Sequence, residues 1–373
     1  MRKYRVAVVR YEKPLESVRK AVELCAGLNH MPAGARVFIK PNIVFWTRAV
    51  AFPKWGVITT SRVVEDIVIL LKERGIDDIT IGEGTVTMRP KDTATAAHAF
   101  ETLGYGVLKQ KYGITYVNIF ERPFEKIDLG DGIELNFNSD ILNSDFVVDL
   151  PVMKAHNQTV VSLGIKNLKG TIDIPSRKRC HTMAPGKDLH FWVAKLADKM
   201  PPMLTLQDGI YTCERGPGPD GRMHRSDLLV ASSDVLAADL VGAKLLGYEP
   251  QQVPHLMHAA YNRRRPFDLS DIDIRGQGIE SLAIPHNSNG SNGQMFKMVD
   301  WAGDPLDDSY VLTIDTHLRQ VTLSRQRAWN RMPAIRTQPL ELPTDRTSKL
   351  HLMLHGDVLE AFLDDRISLS ARV

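Results

Sequence analysis

The chain has 373 residues, enough for about two domains and a sizeable core. Hydrophobic residues make up 43% and charged residues 24%, the balance of an ordinary folded protein rather than a disordered or fibrous one. A net charge of +3 without a long basic run gives no footprint for nucleic acid, and no apolar stretch reaches membrane-spanning length.

The start, Met1-Arg-Lys-Tyr-Arg, runs straight into a short strand from Arg5 to Val9, with no long apolar leader. A cytoplasmic protein is therefore expected. Leu15 to Leu28 has apolar residues at helical spacing. A second strand, from Ala35, stops at Lys40-Pro41-Asn42, because Pro41 cannot donate to a central ladder. Trp46, Phe52 and Trp55 follow in a loop, and either line a pocket or form a small satellite core. Thr59-Thr60-Ser61 offers an N-cap to the amphipathic run Val63 to Arg74, and Gly75 ends it. A helix N-terminus also attracts anions. A third strand from Asp78 ends in Gly82-Glu83-Gly84. This is not the Gly-x-Gly-x-x-Gly fingerprint, so no dinucleotide site is read. Glu83 is a candidate base or metal ligand, with a plain tight turn as the competing reading.

Thr93 to Leu103 reads as a helix ended by Gly104, and residues 113–145 as short strands with a hairpin turn at Asp131-Gly132. The densest polar stretch follows. A β-branched strand, Phe146 to Leu150, is stopped by Pro151. Lys154, His156, Asn157, Lys166, Asn167 and Lys169 then arrive within sixteen residues, on either side of the apolar run Val160 to Ile165. Cations and amides just past a strand end are what an α/β sheet uses to hold an anionic ligand. The plain alternative is a surface loop with ordinary lysines.

Ile174 to Lys187 reads as a basic mobile loop holding Cys180 and His181, and His190 opens a helix to Met200. His156, His181 and His190 are candidate metal ligands if the fold brings them together, and a divalent metal is a candidate cofactor. Of the basic triplets, Arg177-Lys178-Arg179 faces either solvent or an anion, and Arg263-Arg264-Arg265 reads as a solvated turn. Leu204 to Ile210 is a strand carrying Asp208, followed by the glycine-proline loop Gly216 to Gly221, a candidate lid. Leu228 to Asp234 leads into a helix, Val235 to Leu246, in which Asp239 is either exposed or part of the site. Cys25, Cys180 and Cys213 form no Cys-x-x-Cys pair, which argues against a disulfide framework and against an iron–sulfur cluster or zinc ribbon.

Alternating strands and helices predict an α/β fold with a mainly parallel sheet flanked by helices. From about residue 287 the texture changes. Asn287 to Gly293 is a polar linker, and beyond it lie strand-like runs at Tyr310 to Ile314, Gln320 to Leu323, Leu350 to Leu354, Val358 to Leu363 and Ile367 to Val373. The expected division is an α/β catalytic-type domain over residues 1–286 and an all-β, sandwich-like segment over residues 287–373.

Lys40-Pro-Asn, the Thr59-Thr60 helix start, Gly82-Glu-Gly, Lys154-Ala-His156, Lys166-Asn-Leu-Lys-Gly170, Asp208-Gly-Ile and the Ser233-Asp234…Asp239 helix occur in one order. Together they resemble the bacterial and archaeal family called domain of unknown function three-six-two, over roughly residues 1–280. Some of its members carry ferredoxin-type cysteine clusters, which this chain lacks. The centre is also similar to the catalytic stretch of nickel-dependent lactate racemases, where a lysine tethers a nickel pincer cofactor and histidines act as acid, base and metal ligand. The matching positions are His156 and Lys166, with Gly164 in place of that family's glycine pair. The tail from Leu350 looks like the closing strands of the β-sandwich of fructan- and sucrose-cleaving glycoside hydrolases, through Glu360-x-Phe362 and the final Ser-x-Ala-Arg-Val. That resemblance implies a sandwich and a carbohydrate context, and transfers no catalyst.

The expected function is an enzyme acting on a small anionic or sugar-derived substrate, such as a sugar acid or phosphate, by proton or hydride transfer: an isomerase, epimerase or lyase. His156, Lys166 and Glu83 are the candidate catalytic residues. Lys40, Asn42, Lys154, Asn167 and Asp208 are the candidate substrate contacts. The alternative is a non-catalytic anion- or carbohydrate-binding protein. No nucleic-acid or membrane partner is expected, and a homo-oligomer is compatible with the sequence.

Overall fold

The structure is a computed structural model that describes residues 3–48, 55–86, 92–130, 132–181, 187–216 and 221–286, and seven strands between residues 293 and 372. Phe52, Asp131, residues 182–186, residues 217–220 of the glycine-proline loop and residues 287–292 of the linker lie outside the described residues. The chain forms two compact units, Met1–Ser288 and Asn289–Val373.

In chain order the first unit runs β1 (Tyr4–Arg10), α1 (Glu16–Leu24), β2 (Val37–Pro41), α2 (Ser61–Glu73), β3 (Ile79–Glu83), α3 (Thr93–Thr102), α4 (Tyr105–Tyr112), β4 (Thr115–Asn118), β5 (Phe124–Asp128), β6 (Glu134–Asn138) and α5 (Ser139–Leu142). It continues with β7 (Phe146–Leu150), β8 (Val152–His156), β9 (Val160–Ser162), α6 (Gly164–Asn167), α7 (Ile174–Arg179), α8 (Leu189–Lys195), β10 (Met203–Glu214), β11 (Arg222–Ser232), α9 (Val235–Leu245), α10 (Pro254–Asn262) and β12 (Ile272–Gly276). Aspartates start several helices by accepting a backbone N–H of the first turn: Asp92 for α3, Asp173 for α7, Asp188 for α8 and Asp234 for α9.

The main sheet has the strand order β12-β1-β11-β10-β7-β2-β3-β4, with β8 beside β10 and β9 beside β8. The stretch β10-β7-β2-β3-β4 is parallel throughout, with Lys40 opposite Asp149 and Glu83 opposite Asn118. The β10–β11, β1–β11 and β8–β9 pairs are antiparallel, so the sheet is mixed. The fold is α/β, with helices on both faces. Phe38 and Val147 pack on one face with Val193, Leu240 and Leu256 of α8, α9 and α10. Val37, Ile39, Phe146 and Val148 face the other way, against Val18 and Val22 of α1 and Ile67 and Leu71 of α2. Strands buried on both faces explain the near-continuous apolar runs.

Three local expectations change. Pro151 interrupts the ladder without ending it, because the chain resumes as β8 and turns back as β9, and both lie inside the sheet. The basic segment after Ile172 begins as α7, capped by Asp173, rather than as a loop. Arg265 is buried rather than solvated: it pairs with Asp271 and Asp234 and lies over the Tyr4 ring. The hairpin expected across residues 113–145 is β5–β6, while β4 joins the main sheet.

In the second unit, β13 (Gly293–Val299), β14 (Ser309–Asp315), β15 (Gln320–Arg327) and β16 (Asn330–Pro339) form one antiparallel sheet. β17 (Leu350–His355), β18 (Val358–Leu363) and β19 (Ile367–Arg372) form another.

Phe38 is 1% exposed at the centre of the parallel region. Phe38→Ala is expected to destabilise the first unit by about 3–5 kcal/mol through lost burial and a residual cavity. Urea unfolding followed by tryptophan fluorescence reads this, and an unchanged midpoint would contradict the packing described.

Candidate functional site

The carboxyl ends of the parallel strands β2, β3 and β7 carry a buried polar network. Lys40 ends β2 with no exposed side-chain surface, and its Nζ lies 2.6 Å from Glu83 Oε2 at the end of β3. The same ammonium donates to the Pro41 carbonyl at 2.6 Å. Glu83 also accepts the backbone N–H groups of Ile43 and Gly84. Burial pulls the Lys40 ammonium below its usual range, with Glu83 opposing the shift.

Asn167 joins this pair to β7. Its amide donates to Asp149 Oδ1 at 2.8 Å and to the Lys40 carbonyl, and its oxygen accepts from Asn42 at 3.0 Å. Lys154 in β8 donates to Asn42 Oδ1 and to the Val57 carbonyl, both at 2.6 Å. Asp208 in β10 accepts the Thr60 N–H at 2.7 Å, fixing the entry to α2. Lys40, Asn42, Glu83, Lys154, Asn167 and Asp208, recruited from five segments, thus meet at one end of the sheet.

The segment carrying Lys166 is pinned at both ends. Asp239 on α9 accepts the N–H groups of Gly164 and Ile165 at 2.7 and 2.8 Å, and the Gln207 amide at 2.8 Å. Gly164 is required there, since a Cβ would meet the Asp239 carboxylate and the Val235 and Thr205 side chains. At the other end, Arg177 donates to the carbonyls of Gly170, Gly84 and Ile172. Gly170 lies directly on the Lys40–Glu83 pair, where any side chain would collide with both charged groups.

Above this network stands a group of basic side chains. Lys166 is partly buried, and its amine has neither a hydrogen bond nor an ion pair among the described residues. Burial, then the charges of Lys169 and Lys154, hold it well below the ordinary lysine range. Lys169 donates to His181 Nε2 at 2.7 Å, and burial brings it to about 8. His181 is held down to about 4, by burial first and then by Lys169, so its ring is a neutral acceptor.

His156 is 5% exposed, and its Nδ1 accepts the backbone N–H of Gln158 at 3.0 Å. That bond fixes the tautomer. In the neutral ring the proton sits on Nε2, which has no hydrogen-bond partner among the described residues. Burial, then Lys166, Lys154 and His255, hold His156 far below the usual histidine range. The neutral ring is an N–H donor at Nε2, and burial and the neighbouring cations disfavour its protonated form.

His255, on α10, was not singled out in the sequence. It is fully buried, neither ring nitrogen has a hydrogen bond among the described residues, and burial, then His190 and Lys166, favour its neutral form. Its ring stacks on His190 with centroids 5.9 Å apart. Each unmade buried hydrogen bond costs about 1–3 kcal/mol, so this ring carries a polar demand that the described residues do not meet. A lone histidine in an apolar helix gives no sequence signal of this kind. Arg177 was also underread, for its three carbonyl partners lie far from it in the chain or across a turn.

The three histidines expected to bind a metal do not form a ligand set. His181 pairs with Lys169, His190 stacks on His255, and no three His, Cys, Asp or Glu side chains among the described residues are placed to hold a metal ion. Trp46 is buried and donates to His98, whereas Trp55 is 57% exposed beside Tyr211, so the two do not share a pocket.

Residues 37–244 match the family model described as "Domain of unknown function (DUF362)", more than half of the chain. The chain belongs to this family. Residues 249–321 match a second model, "Protein of unknown function (DUF3604)". The family member is 30% identical over 245 residues to the thylakoid-associated protein sll1697 of Synechocystis sp., a match covering 64% of this chain and 72% of that protein. Among solved structures it is similar to the lactate racemase apoprotein from Thermoanaerobacterium thermosaccharolyticum, at a TM-score of 0.43 and 16% identity, over 66% of this chain. The chain spans 57% of that structure's length. No helix among the described residues is long and apolar enough to cross a membrane.

Lys40→Met is expected to cost about 3–5 kcal/mol, because it leaves the Glu83 carboxylate buried and unpaired. The double variant Lys40→Met/Glu83→Leu should be less destabilised than that single variant. Urea midpoints of wild type, the two single variants Lys40→Met and Glu83→Leu, and the double variant measure the coupling, and additive losses would remove the pair from this role. A pH test follows from His255. A depressed histidine leaves stability complete above its ordinary 6.5 and lost as pH falls, because the unfolded chain takes up the proton first. Asp149 and Asp239, raised by burial to about 8 and about 7, act in the opposite sense, losing stability as pH rises from about 4. His255→Phe isolates the first effect: its stability relative to wild type should rise between pH 7 and pH 5, and a constant difference would exclude it.

Proposed function

We propose that the site binds a small organic anion and moves a proton at a carbon next to its carboxylate or carbonyl group. The observation that carries this reading is the Lys166 amine, partly buried, free of any anion among the described residues, and surrounded by other basic groups. Burial and like charge favour loss of the ammonium proton, which biases Lys166 toward the neutral amine, the form able to act as a base.

His156 supplies the complement. Its Nε2–H donates to the substrate oxygen that gains negative charge as the carbon proton leaves. A neutral imidazole suits this role, because it polarises the oxygen without first losing a proton to it. Lys169 and Lys154 add positive charge that favours an anionic substrate. The Lys40–Glu83–Asn167–Asp149 network lies beneath and holds the frame rather than the substrate. The reaction class is an isomerase, epimerase or lyase, and 2-hydroxy acids and sugar acids are the candidate substrates.

The test is hydrogen–deuterium exchange at the carbon next to the carboxylate, followed by proton NMR in heavy water across a panel of such acids. Wild-type protein should catalyse loss of the carbon-bound proton signal. Lys166→Met should reduce the rate by about 10²–10⁴-fold, the usual share of a positioned base. The rate should rise with pH through the lowered Lys166 titration and show no histidine limb. Binding of these acids without exchange, unchanged in Lys166→Met, would instead identify a binding protein.

A further inference from the structure

The unpartnered groups at this site do not include the amine alone. Lys166 extends from α6, which packs against α8 and α9, while α8 also packs on α10. His156 Nε2 lacks a partner among the described residues. His255, fully buried, has two such nitrogens, and His190 stacked on it has one at Nδ1. A base needs only its own lone pair and a charge to stabilise. Here an amine is set among imidazoles that can both donate and accept, which is the equipment for adding an amine to a carbonyl and removing water.

We propose that Lys166 captures the carbonyl carbon of a small 2-oxo acid as an iminium, with His156 and His255 handling the oxygen and the protons. The inference rests on the reading of the site as one that takes small organic anions, and it adds 2-oxo acids to the substrates named there. The Lys166 lone pair forms the C–N bond while the C=O π pair moves to oxygen, which accepts a hydrogen bond from His156 Nε2–H. One proton passes from nitrogen to oxygen to give the carbinolamine, and His255, which has a free acceptor and a free donor, carries it. The hydroxyl then leaves as water with one proton from solvent, and the nitrogen lone pair closes the C=N bond. The sum is amine plus 2-oxo acid plus a proton giving iminium plus water, with no change of oxidation state. Burial and neighbouring cations lower the Lys166 titration and so favour the neutral amine that this step needs. The substrate carboxylate meets the charge of Lys169, with Lys154 adding to the positive field from within the frame.

The full chain is incubated with pyruvate and sodium cyanoborohydride at pH 7, digested and mapped by mass spectrometry. A parallel arm uses acetone, which has the carbonyl and lacks the carboxylate. The expected result is one reduced pyruvate adduct on Lys166, well ahead of the exposed Lys20, Lys109 and Lys126, with acetone a poor substitute. Labelling of Lys166 should persist as pH is lowered toward 6, where that of the exposed lysines disappears. Lys166 labelled no faster than those exposed lysines, or equally by acetone, overturns the inference. The readout is on wild-type protein, so it does not depend on a variant folding. If Lys166 escapes trapping while isotope exchange still depends on it, carbonyl capture is wrong and the general-base reading stands. If both fail, both fall.

Discussion

The Lys40–Glu83 ion pair is the constraint on which the rest of the site depends. Both partners sit at the ends of parallel strands with almost no exposed surface, so neither charge is tenable alone. Their meeting ties β2 to β3, and the remaining lone pairs of Glu83 order the backbone at Ile43 and Gly84. Gly170 lies against the pair, so the turn after α6 has a single path. The position of Lys166 is therefore inherited from a contact in which it takes no part.

The positive charges of this protein divide by what they touch. Lys40, Lys154, Arg177 and Arg265 donate to carbonyls, amides or carboxylates and act as cross-links. Lys166 touches none among the described residues, and the nearest charges are of its own sign. A structural ammonium is satisfied within the fold. On the proposed reading, Lys166 is left to be satisfied from outside, at a cost in stability that the surrounding network absorbs. Asp239 and Arg177 hold the two ends of its segment, so that the four-carbon stem is the main freedom the amine retains.

Much of this was legible in the sequence because it depends on local pattern. The strand-end clusters Lys40-Pro-Asn and Gly82-Glu-Gly announced where the sheet ends, and the apolar runs announced strands covered on both faces. The strand after Pro151 was hidden, since one proline stops a ladder only where its missing N–H would have been used. Arg265 and Arg177 looked solvated in their triplets, and their burial comes from acids and carbonyls that only the tertiary fold supplies. His255 looked like any core residue of an apolar helix. What sets it apart is the absence of a partner for either nitrogen among the described residues, a property of three-dimensional surroundings that no spacing encodes. The tautomer of His156 is similar: one backbone N–H at Gln158 decides it.

The isolation of Lys166 makes occupancy and protonation one equilibrium. Its amine is kept neutral by burial and by Lys169 and Lys154, and an incoming carboxylate offsets those charges. The amine then regains affinity for a proton, so binding draws a proton from solvent, and affinity weakens as that proton becomes scarce. On the proposed reading, an anionic substrate thus raises the basicity of the amine that acts on it.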